Sequence, residues 1–355
     1  MAVPYDRDLA ATRGRLATWL AGRIDGARDV EVSEISGPAA TGYSHETLIF
    51  DARWATPAGE TTQRSLVVRV KPSSHTVFPD DRFEIEHRVA ETLSKVDGIP
   101  VPTVRWYEGD GGVLGAPFFV MDRVDGEIPG DNPPYTLGGW LAEAAPEQQE
   151  RAWWSGLDAM AAVHRLDAGD LDLGFLSRDE FEYWERYSAW ATAETPLPVA
   201  DTALAWLHEH RPADQGAPGL CWGDSRPGNQ IFADFRCAAL LDWEMAAVAD
   251  PEQDLGWWLY FDRLFSEGLG APRPAGYPSH DATVARWDEL TGRRARNLPY
   301  FEVFAAFRFA VILLRVTELM KLYGQLPADS DFPVNNFATQ MLTRVLSEVG
   351  AGVRA

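Results

Sequence analysis

Residues 219–244 read Gly219-Leu-Cys-Trp-Gly-Asp224-Ser-Arg-Pro-Gly-Asn229-Gln-Ile-Phe-Ala-Asp-Phe-Arg-Cys-Ala-Ala-Leu-Leu-Asp242-Trp-Glu244. Two short apolar runs, Gln230 to Ala233 and Ala238 to Leu241, flank the turn-like Asp234-Phe-Arg236, which is a β-hairpin signal. Asn229 enters the first strand and Asp242 leaves the second, so both lie at the open end of the hairpin. Paired strands run about 4.8 Å apart, which puts an amide oxygen and a carboxylate within reach of one hard cation. Asp224 precedes Asn229 on a loop held by Pro227 and Gly228.

These are the parts that a phosphoryl transfer needs. A carboxylate must accept the proton of an attacking hydroxyl, and oxygen ligands must hold Mg²⁺ on a triphosphate. Asp224 is the candidate base, and Asn229 and Asp242 are the candidate metal ligands. The Asp-x₄-Asn spacing matches that of kinase catalytic loops. The bland alternative is a polar loop capping a buried hairpin, with Asp and Asn chosen for their turns.

The chain has 355 residues, past the roughly 250–300 at which one hydrophobic core stops growing, so two lobes are expected. Upstream of the hairpin, a loosely helical Asp6 to Ile24 leads into β-like stretches at Val30 to Ile35, Thr47 to Trp54 and Leu66 to Val70. A helical period follows at Phe83 to Leu93, then two more strands at Val104 to Tyr107 and Phe118 to Met121. This order makes a small α+β lobe with a mostly antiparallel sheet over residues 1–122. From 123 to 355 helical patterns dominate, including Trp154 to His164, Ala203 to Glu209 and Tyr300 to Tyr323.

Composition bounds the function. The formal net charge of −21 disfavours binding to nucleic acid or an anionic membrane surface. Cys221 and Cys237, the only cysteines of the chain, cannot build a disulfide framework or a four-ligand zinc site, and point to a reducing, cytoplasmic setting. The greasiest stretch, Phe301 to Leu322, is broken by Arg308, Arg315, Glu318 and Lys321, and reads as a buried amphipathic helix rather than a membrane span.

The motif set resembles the aminoglycoside phosphotransferase-like family of the kinase-like superfamily, closest to members known only as candidate phosphotransferases. Trp222-Gly-Asp224-Ser-Arg-Pro-Gly-Asn229 is similar to its His-Gly-Asp-x₄-Asn, with Trp222 where the family usually has His. Leu241-Asp242-Trp-Glu resembles the segment that replaces the kinase Asp-Phe-Gly, and Asp250-Pro-Glu-Gln-Asp254-Leu-Gly the element after it. The resemblance implies a protein-kinase-like two-lobed fold, ATP, Mg²⁺ and a small-molecule hydroxyl acceptor. It also implies that Asp254 braces the catalytic loop; a carboxylate favoured by a helix N-terminus is an equal reading.

For the nucleotide, Gly42, Tyr43 and Ser44 lie between two strands, where a phosphate-covering loop belongs, though without Gly-x-Gly-x-x-Gly or a Walker motif. Arg69 and Lys71 share a strand face, and one of them takes the phosphate-binding role; the resemblance favours Arg69, three residues before Pro72. Glu86 is the expected ion-pair partner, with Glu84 and Glu91 as rivals. Met121, Asp122 and Val124 fall where the resemblance places the adenine-binding hinge.

Other features read as structure. His164-Arg-Leu-Asp167 lies on a helical pattern and marks a helix end; His208 and His210 read as surface. The acidic run from Asp170 to Glu185 fits a solvated face better than a cationic acceptor site. No Ala-Pro-Glu follows Asp242, which disfavours a protein substrate. A non-catalytic nucleotide-binding module is the alternative function, suggested by Trp222 and the missing glycine pattern.

Overall fold

The computed structural model describes residues 7–37, 45–72, 76–213 and 216–351. Its contacts divide the chain into two compact units, Met1–Val77 with Pro102–Val124, and Phe78–Val101 with Asp125–Ala355.

In the first unit α1 (Leu9–Arg23) starts at Asp8, whose carboxylate accepts the Ala11 N–H and satisfies one of the free donors of the first turn. Strands β1 (Arg28–Val32), β2 (Glu46–Ala55) and β3 (Thr61–Val70) precede α2 (Arg82–Leu93), and β4 (Val104–Glu108) and β5 (Phe118–Asp122) follow it. The five strands form one antiparallel sheet in the order β1-β2-β3-β5-β4. Alternation decides which face is buried: Leu48, Phe50, Ala52 and Trp54 of β2, with Leu66, Val68 and Val70 of β3, join Leu16, Trp19 and Leu20 of α1 in one core. Arg69 therefore lies on the opposite face of β3.

Helix α2 groups with the second unit, so the chain does not divide at a single cut near residue 122. The cause is local. Tyr183 donates to Asp80 at 2.9 Å, the Arg82 guanidinium lies 4.3 Å from the Tyr183 ring, and Arg88 lies 3.6 Å from the Phe175 ring.

The second unit continues with α3 (Pro146–His164), α4 (Glu180–Ala191), α5 (Pro198–Glu209), β6 (Gly219–Cys221), β7 (Gln230–Ala233), β8 (Arg236–Leu240), β9 (Ala247–Ala249) and α6 (Glu252–Phe265). Helices α7 (His280–Thr291), α8 (Leu298–Leu322) and α9 (Phe337–Glu348) complete it. β7 and β8 form the expected hairpin, turning through Asp234 and Phe235, both at positive φ. A second pair, β6 with β9, was not foreseen, because three-residue strands carry no readable period. Among the described residues no helix is long and apolar enough to cross a membrane.

Glu252, the first residue of α6, accepts the Asn297 N–H at 2.6 Å, and burial pushes its carboxyl up to about 7. A carboxyl raised on folding binds more protons in the native state between its ordinary value and 7. Stability therefore falls as pH rises through that window. Glu252→Gln should melt higher than the parent at pH 7.5, with the gap closing near pH 4.5; thermal melts at the two pH values check this, and equal melting at pH 7.5 would refute it.

Candidate active site

The chain leaves β6 at Cys221 and reaches Asp224 through Trp222 and Gly223. Gly223 sits at φ +96, and a Cβ there would lie 2.2 Å from the Met245 carbonyl oxygen, so only glycine passes. A single 3₁₀ turn, Pro227–Asn229, delivers Asn229 to the head of β7. The Leu241 N–H donates to the Asn229 carbonyl at 2.9 Å, which sets Asn229 opposite Leu241 and next to Asp242. Asp242 itself turns the chain with a φ of 61, a left-handed conformation that Asp tolerates better than most residues.

The Asp224 carboxylate is held from three sides. Its Oδ1 accepts from the Trp257 indole N–H at 2.8 Å and from Arg226 Nε at 2.9 Å. Its Oδ2 accepts from Asn229 Nδ2 at 2.7 Å, and the same amide nitrogen donates to the Asp224 carbonyl at 3.0 Å. With its nitrogen committed to Asp224, the Asn229 side chain keeps its Oδ1 as the acceptor for another group. Arg226 also binds both Asp131 oxygens, at 2.6 and 2.7 Å, and lies 5.1 Å from the Phe261 ring. Burial opposes the Arg226 charge, but the Asp131 and Asp224 carboxylates outweigh it and raise its pKa.

This donor set suits Mg²⁺. Among the described residues no three His, Cys, Asp or Glu side chains cluster into a self-sufficient metal site. Mg²⁺ needs no such cage, since it is commonly held by one or two protein oxygens plus substrate phosphates. The Asn229 amide oxygen and the Asp242 carboxylate fit that requirement.

Behind the loop lies Asp254, fully buried at the third position of α6. Its Oδ2 accepts the Trp222 N–H at 2.6 Å and its Oδ1 the Gly223 N–H at 2.9 Å. His164 Nε2 lies 3.0 Å from Oδ2, and the Trp287 indole donates to His164 Nδ1 at 2.9 Å. Because Nδ1 accepts, the neutral ring carries its proton on Nε2 and donates to Asp254. The two sequence readings of Asp254 are thus compatible: it sits at a helix N-terminus and it holds the loop. Ser225 Oγ adds a bond to the Asp254 carbonyl at 2.8 Å.

Trp222, where the resemblance implies a His, makes a hydrogen bond of its own. Its indole N–H donates to the Leu241 carbonyl at 2.7 Å, fixing the peptide that leads into Asp242. Sequence reasoning missed Trp257, Arg226 and the bracing role of His164. Trp257 reads as any core tryptophan, and the Asp-x-Arg spacing from Asp224 to Arg226 was the one local signal for its partner.

In the first unit Arg69 donates to Thr47 Oγ1 at 2.8 Å and meets His45 Nδ1 at 3.1 Å. Lys71 lies just past β3, its N–H bonded to the Pro117 carbonyl at 2.9 Å. The Asp122 carboxylate binds Arg105 Nε at 2.8 Å, and its N–H donates to the Thr103 carbonyl at 2.9 Å. Met121 pairs across the sheet with Val67, and Val124 closes the unit. Gly42, Tyr43 and Ser44 lie outside the described residues. In the second unit Glu86 is buried and Glu84 half-buried, while Glu91 pairs with Lys95 of its own helix end at 2.9 Å; that hydrogen bond leads in lowering its pKa. Asp179 of the acidic run caps α4 and pairs with Arg211, a structural use of that charge.

Trp222→Phe removes the donor to the Leu241 carbonyl and should cost about 1–3 kcal/mol, the usual range for stranding a buried polar group. Urea unfolding measures the loss; an unshifted midpoint would mean that the indole N–H carries no weight.

The family model of the phosphotransferase enzyme family (APH) matches residues 56–290. Acyl-CoA dehydrogenase family member 11 of Pongo abelii is 24% identical over 261 residues, covering 69% of this chain but only 32% of that protein. The chain therefore spans about a third of the length of that curated relative. A Ralstonia eutropha protein assigned as a candidate aminoglycoside phosphotransferase superposes with a TM-score of 0.68 at 21% identity, covering 94% of this chain and 98% of its own. Aminoglycoside phosphotransferase APH(4)-Ia, as a thermostable mutant with ADP and hygromycin B, gives 0.56 at 13% identity, covering 96% and 99%. These neighbours share the kinase-like α+β fold expected from the sequence. With more than half of its length matched by the family model, the chain belongs to the phosphotransferase enzyme family.

Proposed function

We propose that this phosphotransferase moves the γ-phosphoryl group of ATP to a hydroxyl of a small molecule, an aminoglycoside-like antibiotic or a hydroxylated metabolite, in a Mg²⁺-dependent reaction. The observation that carries the proposal is the 2.7 Å bond between Asp224 Oδ2 and Asn229 Nδ2, which ties a proton acceptor to a cation ligand in one loop.

Asp224 accepts the proton of the acceptor hydroxyl as that oxygen attacks phosphorus. Trp257 and Arg226 fix the rotation of its carboxylate, so Oδ2 is the oxygen that keeps lone-pair capacity. Asn229 Oδ1 and the Asp242 carboxylate would hold Mg²⁺, which would supply positive charge to the phosphate oxygens. Arg226, next to the base, pairs with Asp131 as well and so ties the Asp224 carboxylate to a second carboxylate. Of the phosphate-binding pair, Arg69 is favoured over Lys71 because Thr47 and His45 hold its guanidinium in place. Glu86 is the buried carboxylate proposed as the ion-pair residue of α2. Met121 and the main chain of Asp122 to Val124 are proposed to recognise the adenine. The Asp122 N–H bonds to the Thr103 carbonyl and the Arg123 N–H to the Ser65 carbonyl, which fixes this main chain at the sheet.

The indole bond of Trp222 weighs against the non-catalytic alternative, since the support expected from the family His has a substitute. Three measurements test the proposal. Asp224→Ala should lower turnover by at least ~10², as expected for loss of a general base, while ATP still binds; an unchanged rate removes Asp224 from the mechanism. Asp242→Ala should weaken nucleotide binding in calorimetry with Mg²⁺ and leave it unchanged without Mg²⁺. ADP release stimulated by one member of a panel of hydroxylated metabolites and antibiotics supports a small-molecule acceptor; tight ATP binding with no stimulation favours the binding module.

A further inference from the structure

Arg308 lies in the middle of α8 and is completely buried. Its Nη2 donates to the Gly223 carbonyl at 3.0 Å, the peptide that leads directly into Asp224. Its guanidinium is lined by rings instead of carboxylates, with centroids at 4.5 Å for Trp257, 4.7 Å for Trp184 and 5.3 Å for Phe304. Among the described residues it makes no ion pair, and its Nε and Nη1 are buried with no hydrogen-bond partner.

Keeping a cation in such a place is costly for stability. An apolar side chain of similar volume does as well or better where packing is the whole purpose. What the guanidinium supplies beyond packing is directed at one residue by two routes. One runs through the Gly223 carbonyl, the other through the Trp257 ring, whose indole N–H sits on Asp224 Oδ1. Burial lowers the Arg308 pKa, while the charges of Glu180, Asp254 and Asp224 oppose that change.

We propose that Arg308 is a positioning residue for Asp224, setting the peptide before it and the indole that clamps its carboxylate. The proposal rests on the reading of Asp224 as the proton acceptor. Arg308 touches no reacting atom and acts through Gly223 and Trp257.

The test uses the full chain as wild type, Arg308→Met, Arg308→Lys and Asp224→Ala, with two readouts. In ATP turnover, Arg308→Met should lose about 10- to 100-fold in kcat, the scale of a small misplacement of a reacting group. The KM for ATP should stay within about twofold, since this side chain is assigned no part in binding nucleotide. Arg308→Lys should recover part of kcat. In ¹H–¹⁵N spectra, the Trp257 indole cross-peak, identified by its loss in Trp257→Phe, should move in Arg308→Met. A kcat equal to wild type, or a stationary indole peak, overturns the proposal. If Arg308→Met fails to fold, the same two readouts on Arg308→Lys decide. Equal turnover by wild type and Asp224→Ala would sink the catalytic reading instead, and the indole peak would still report on the Arg308 clamp.

Discussion

One buried carboxylate organises the second unit. Asp254 has no access to solvent, and an unpaired charge there would carry a large desolvation penalty. It avoids that penalty by accepting two consecutive backbone N–H groups, those of Trp222 and Gly223, and the Nε2 proton of His164. Peptides held this way cannot rotate, so the next residue, Asp224, leaves the brace in a set direction. The tight passage of Gly223 under the Met245 carbonyl reinforces the constraint from the other side.

Around this anchor, donors that do not titrate near neutral pH hold most of the site. Two indoles do the most visible work, Trp257 on Asp224 and Trp222 on the Leu241 carbonyl. An indole N–H donates at any physiological pH, whereas an imidazole changes charge near neutrality. The Trp287 indole occupies Nδ1 of His164, which leaves Nε2 to donate to Asp254.

Local signals in the sequence revealed the hairpin and what hangs on it. The spacing from Asp224 through Asn229 to Asp242 follows from strand pairing, which the apolar runs and the turn announce. The strands themselves were legible for the same reason, while the face of β2 and β3 that joins the core was left to the structure. The supports were illegible because they come from far away along the chain. Arg308 reaches the loop and His164 reaches Asp254 from separate helices, with Trp287 behind His164 on a third, and nothing about a tryptophan or an arginine on a helical face announces its target. The grouping of α2 with the second unit was missed likewise, since it depends on Asp80, Arg82 and Arg88 meeting α4 and the segment before it. Asp254 stood between these cases: its position near a helix start was readable, its two loop bonds were not.

The central claim is that this loop directs a phosphoryl group from ATP onto a hydroxyl. Phosphorus NMR of the full chain with ATP, Mg²⁺ and a hydroxylated acceptor tests it most directly. The account predicts a phosphate monoester resonance growing in step with ADP and lost in the Asp224→Ala protein. ADP accompanied only by inorganic phosphate, across every acceptor supplied, would contradict it.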